Sequence, residues 1–176
     1  MSSLLDTEFL LIIIIGVRKD LAESNGITPA FPKPLQPRWS LRDALELGEE
    51  PLTLDQETGA DISLNRYAVG KEYDKLRMGQ QSKKYFQLVR PSLNKPVGTL
   101  TATGGVVGAA GVKHPLEKRN FTLKELRALS SFPQDFVLTG TYAQRWERIG
   151  RSVPPFMAKA IGETIQKEIL DRIVTM

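Results

Sequence analysis

The sequence predicts an α/β protein in which a strand buried on both faces is covered by amphipathic helices. Three observations carry this reading. Residues 9–15 (FLLIIII) form a continuous apolar run rich in β-branched Ile and closed by Gly16, the pattern of a strand in a helix-covered parallel sheet. Apolar residues at helical spacing recur twice in the last third of the chain. Between these parts, residues 22–38 carry Pro29, Pro32, Pro34 and Pro37, which oppose helix and central strand alike and mark a boundary. The 176 residues, 41% of them hydrophobic, suffice for one ordinary domain or one and a half small ones.

Composition excludes several chemistries. With no cysteine, the chain holds no disulfide framework, thiolate zinc site or cysteine nucleophile. A single histidine, His114, leaves no multi-histidine metal cluster, and no metal site is expected. The net charge of +4 permits a polyanionic partner without requiring one. The apolar run is far shorter than the roughly 20 residues a membrane span needs. It also follows Asp6 and Glu8 rather than a basic start, so neither span nor signal peptide is expected and the location expected is cytoplasmic.

Taken in order, residues 40–47 (SLRDALEL) predict a short helix with Ser40 as N-cap and Asp43 three residues on. From Asp43 to Asp61, seven acidic residues occur without a Lys or Arg. The sign then reverses: Arg66, Lys71, Lys75, Arg77, Lys83, Lys84, Arg90 and Lys95 face only Glu72 and Asp74. Within that window YFQLVR (residues 85–90) predicts a short strand. The window reads either as a solvated face or as a set of phosphate contacts, with Lys83, Lys84 and Arg90 the candidates flanking the strand and its loop.

Residues 99–111 (TLTATGGVVGAAG) run from β-branched residues into glycines. No Gly-Lys-Ser/Thr follows, so a phosphate loop is disfavoured; the glycines predict tight turns or a backbone passing close to another surface. Thr122 with Glu125 makes a capping box ahead of Leu123, Leu126 and Leu129, and this helix is expected to stop at Phe132-Pro133. A second helix starts at Pro154-Pro155, with Met157, Ile161, Ile165, Ile169 and Ile173 on its core face. The intervening FVLTGTYAQRWERIGRSV reads as compact and mixed. In it, Trp146 suits packing or base stacking. His114, beside Pro115, suits a loop-anchoring hydrogen bond, and Arg119 a carboxylate or carbonyl partner.

Several of these segments, in order, resemble the C-terminal part of the cytosine-C5 DNA methyltransferases. HPLEKRNFTLKELRALSSFPQDF (residues 114–136) is similar to the family's ninth conserved motif, and QRWERIGRSVPPFMAKAIGETI (residues 144–165) to the tenth. IIIIGVRKDL, with FPKP and SLRDAL after it, resembles the end of the eighth motif. Thr99-Leu100 resembles the Thr-Leu dipeptide of the target-recognition region.

The resemblance implies a partial Rossmann-like methyltransferase fold, one buried strand plus C-terminal helices, with a small mixed α+β target-recognition domain. Residues 1–34 would be a remnant of the catalytic sheet and linker, residues 35–112 the recognition domain, and residues 113–176 the ninth- and tenth-motif helices returning to the catalytic domain. It also implies methyl transfer from S-adenosylmethionine to C5 of a cytosine flipped out of double-stranded DNA, after a cysteine attacks C6. Arg151, Ser152 and Val153 would lie beside the cofactor, although a turn capping the next helix explains them equally. Thr99 and Leu100 would touch DNA near the flipped base, or simply end a strand. Arg119, Thr122 and Glu125 would be structural.

Departures from the pattern matter. The Pro-Cys nucleophile, the glycine-rich cofactor motif and Glu-Asn-Val are absent, and no catalytic residue is assigned. The two arginine positions before the eighth-motif strand hold Phe9 and Leu11, and Arg151 stands where Asn is usual. The expectation is a C-terminal fragment without methyl transfer of its own, completed by a missing N-terminal half. A split-enzyme subunit, a non-catalytic DNA-binding module and a self-associating relic are the alternatives.

Overall fold

A computed structural model describes residues 13–34, 39–45 and 52–173 of the chain. They fall into two compact units, one comprising residues 39–45 and 52–152 and the other residues 13–34 and 153–173. The architecture is mixed α/β with one two-stranded sheet among the described residues.

The larger unit starts with α1 (Leu41–Ala44), whose predicted cap is in place: the Ser40 hydroxyl accepts from the Asp43 amide and the Asp43 carboxylate accepts from the Ser40 amide. Its first two amides donate to Lys95 and Leu93 carbonyls, which ties it to a distant loop. Next come α2 (Ala68–Tyr73) and the antiparallel pair β1 (Gln80–Gln81) and β2 (Val89–Arg90), in register Gln80 to Arg90. Only the last two residues of the predicted 85–90 strand are strand. Tyr85 to Leu88 turn instead, because the Leu88 amide donates to the Tyr85 carbonyl.

A 3-10 turn over Ala102–Gly105 precedes α3 (Leu123–Leu129). The Thr122–Glu125 capping box is present at its start. The helix ends at Leu129, short of Phe132, where Ser131 adopts a left-handed φ of 59°. The segment read as compact and mixed contains a helix, α4 (Tyr142–Gly150), opened by a third capping box between Thr141 and Gln144. Its Tyr142, Trp146 and Ile149 are buried at helical spacing and join Phe121, Leu123 and Leu126 in the main core. A second cluster gathers Leu64, Val69, Tyr73, Leu76 and Leu88.

The smaller unit contains α5 (Lys19–Asn25), closed by Gly26 in the left-handed conformation at φ 62°, and α6 (Pro155–Glu168). The proline start of α6 is as predicted. Met157, Ile161 and Ile165 are only half-buried, no residue within either helix is fully buried, and Ile169 follows as a buried C-cap. Ile173 lies beyond the helix.

Ile13 to Ile15 correct the predicted buried strand: they form none, and Ile14 is 89% exposed. A central strand is made by hydrogen bonds to neighbours, and these three residues have no strand beside them among the described residues. Phe9 to Ile12 lie outside the described residues. No Rossmann-like sheet is present among the described residues. No described helix is long and apolar enough to cross a membrane.

Candidate functional site

The densest polar chemistry lies in residues 113–125, between the glycine turn and α3. Arg119 is its hub. Its guanidinium donates to both oxygens of Glu125 (2.8 and 2.9 Å), both oxygens of Glu117 (3.0 Å each) and the Asn120 carbonyl (2.9 Å). Burial alone would weaken its charge, but the two carboxylates outweigh that and hold the guanidinium protonated. Glu125 in turn accepts from the Thr122 amide at 2.7 Å, so the helix cap and the ion pair share one carboxylate. Glu117 reaches back to accept from the Leu52 amide at 2.7 Å. Arg119, Thr122 and Glu125 thus stand together, locking a loop to a helix start.

His114 is buried and anchors the same loop, its Nδ1 accepting from the Glu117 amide at 3.0 Å. Burial, helped by the Arg119 charge, pulls its pKa down to about 4, so the ring is neutral near pH 7. A neutral ring that accepts at Nδ1 carries its proton on Nε2, which stands 3.6 Å from Glu125.

Sequence reasoning missed Lys113. It is fully buried, and its ammonium donates to Asn120 Oδ1 at 2.6 Å. Desolvation pushes its pKa down to about 7. Asn120 passes the link on, donating to the Gly104 carbonyl at 3.0 Å. The dipeptide Lys113-His114 gives no hint of this, since an isolated Lys normally lies at the surface.

The glycines make the close approach that their spacing predicts. A Cβ on Gly104 would stand 2.6 Å from the Trp146 ring, and one on Gly150 2.8 Å from the Ala102 backbone. Trp146 is buried, and its indole N–H donates to the Thr101 carbonyl at 2.9 Å, so its role here is packing. The half-buried Thr99 and Leu100 lead directly into this clamped turn.

The three basic candidates separate. Lys83 and Lys84 are exposed in the loop joining β1 and β2. Arg90 is turned inward: its Nε donates to the Pro115 carbonyl at 2.8 Å, its Nη1 to Leu76 at 2.9 Å, and its guanidinium lies 4.8 Å from the Tyr73 ring centre.

Of the three cofactor-side candidates, Arg151 is exposed and donates to Glu147 at 2.8 Å, while Ser152 donates to the Ile149 carbonyl at 2.7 Å. Val153 is 52% exposed. An exposed guanidinium and a half-buried hydroxyl fit one wall of a cofactor site; neither encloses one. An open cavity of about 230 Å³ lies elsewhere, lined by Asp55, Glu57, Thr122, Lys124 and Arg127 among others. No metal-binding group of His, Cys, Asp or Glu occurs among the described residues.

Residues 12–167 match the family described as C-5 cytosine-specific DNA methylase. Type II methyltransferase M.Eco47II of Escherichia coli is 27% identical over 180 residues, covering 92% of this chain and 42% of that protein. Type II methyltransferase M.AquIB of Picosynechococcus sp. is 31% identical over 91 residues, 46% of this chain and 63% of that protein. DNA (cytosine-5-)-methyltransferase M.ApeKI of Aeropyrum pernix is 35% identical over 79 residues, 45% of this chain and 16% of that protein. The chain thus spans less than two thirds of each of these relatives.

Proposed function

Because the chain belongs to the C-5 cytosine-specific DNA methylase family, we propose that it supplies the DNA-reading end of a cytosine-C5 methyltransferase and part of its cofactor wall. One observation carries this reading: the segment that resembles the family's ninth motif holds the Arg119 hub, which joins a loop to a helix cap, and Asn120, which ties both to the glycine turn. In this reading, residues 35–112 are the recognition domain, borne by that support.

Lys83 and Lys84 contact DNA phosphates, and Thr99 touches backbone and base near the target cytosine, with Leu100, half-buried against the main core, beside it. Arg90, its Nε and Nη1 already donated to carbonyls, braces the hairpin from below. Arg151, Ser152 and Val153 form one wall of the site for S-adenosylmethionine, the methyl donor on which this family generally depends. The half-buried Met157, Ile161 and Ile165 give α6 an apolar face.

These 176 residues contain no cysteine, so the group that attacks C6 has to come from outside them. A two-chain enzyme has specific support. A 91-residue match fills 63% of M.AquIB, so a protein named a type II methyltransferase is itself shorter than this chain.

The test is direct. The purified chain should bind duplex DNA with steep salt dependence and some sequence preference, yet transfer no labelled methyl group by itself. Methyl transfer by the chain alone would refute the division of labour; failure to bind DNA at low salt would refute the reading role.

A further inference from the structure

The loop between β1 and β2 is built to hold an aromatic ring in solvent. Its base is locked: the Ser82 amide donates to the Leu88 carbonyl at 2.9 Å, and both residues are buried. The Ser82 hydroxyl accepts from the Lys84 and Tyr85 amides, each at 3.0 Å, while donating to Glu72 at 2.9 Å. The Gln81 side chain also donates to the Phe86 carbonyl. Above this base Phe86 is 68% exposed. A side chain this exposed adds little to the core, and the bonds that fix the loop keep it so.

Charge around the ring favours one kind of partner. Lys83 and Lys84 are exposed and form no ion pair among the described residues, and Lys84 lies 5.3 Å from the Tyr85 ring centre. The loop itself carries no acid; the nearby Glu72 is engaged by Lys75 and Ser82. Gln87 beside the ring is exposed as well. Two exposed cations beside an apolar ring and an amide match a polyanion whose interior edges are partly apolar, which describes duplex DNA.

We propose that the residue 82–88 loop enters the major groove and that Phe86 lies against a thymine C5-methyl group. This side chain then sets one position of the recognised DNA word, while Lys83 and Lys84 hold the flanking phosphates. A two-stranded ribbon fits the major groove, and apolar contact is how a side chain distinguishes the thymine methyl. The proposal rests on the DNA-reading function above but names a determinant which that reading leaves open.

Selection from a randomised duplex pool, with the wild-type chain and with Phe86→Ala, tests it. The wild type should yield a motif containing a thymine whose replacement by deoxyuridine weakens binding roughly tenfold. F86A should lose preference at that position alone and be indifferent to the deoxyuridine, with Phe86→Leu intermediate and the thermal midpoint unchanged. K83A and K84A should instead weaken all sequences alike and each lower the salt slope by about one. An unchanged motif with F86A overturns the proposal while leaving DNA reading intact, as does an F86A effect confined to self-association in sedimentation. If the wild-type chain binds no duplex at low salt, the DNA-reading function falls first and this proposal with it.

Discussion

The two compact units obey different rules. In the larger, α3 is seven residues long and buries Leu123, Glu125, Leu126 and Arg127. In the smaller, α6 is fourteen residues long and buries none of them fully. Both helices begin where local chemistry says they should, one at a capping box and one at a proline. Correct local signals therefore define an element, but only tertiary contacts anchor it. The larger unit is expected to behave as the stable body, and α6 to exchange its amides readily.

The sharpest way to break that contrast is Arg119→Met. It strands Glu125 and Glu117 beside one another with no cation between them, and should cost about 3–5 kcal/mol in denaturant unfolding of the larger unit. A loss below about 1 kcal/mol would mean that the hub is decorative.

Lys113 offers a subtler probe, because it lies six residues from Arg119 and is just as buried, yet has only a neutral amide for a partner. Its folded pKa, about 7, is depressed from 10.5. Between those values the unfolded chain keeps the proton and the folded one does not. Stability should therefore rise with pH by up to about 1.4 kcal/mol per unit from this group. Below pH 7 that contribution flattens. Lys113→Met should remove the slope; urea midpoints across pH 7–9 would show it.

Gly104→Ala tests the clamp on the glycine turn. Its Cβ would meet the Trp146 ring, which is held by a hydrogen bond and cannot withdraw freely, so a loss of about 1–3 kcal/mol is expected. The smallest difference compares the two units directly. Thr122→Ala should cost about 1 kcal/mol in global unfolding. Ile161→Ala on α6 should cost no more than that and register mainly as faster amide exchange there.

Much of the candidate site was legible in residues 114–125, where Arg119, Thr122 and Glu125 stand at spacings that a helix start can use. Thr141 and Gln144 follow the same grammar, and Tyr142, Trp146 and Ile149 complete the pattern of α4. Arg90 and Lys84 look alike as basic residues beside a strand. Arg90 donates to the Pro115 and Leu76 carbonyls while Lys84 is exposed beside the Tyr85 ring, and no local pattern distinguishes them.

What the sequence determined by itself were the features settled within a few residues: the caps at Ser40 and Thr122, the proline start of α6, the glycines that admit a close neighbour, and the order of family motifs. The tertiary structure alone decided which residues far apart in the chain meet. The Asp55 carboxylate accepting from the Leu123 amide, Trp146 donating to Thr101 and Lys113 sealed under Asn120 are of this kind. A cap is local because its partners are three residues apart in a rigid turn. A buried charge or an inward arginine depends on which loops the core brings together, and that is a property of the whole packing.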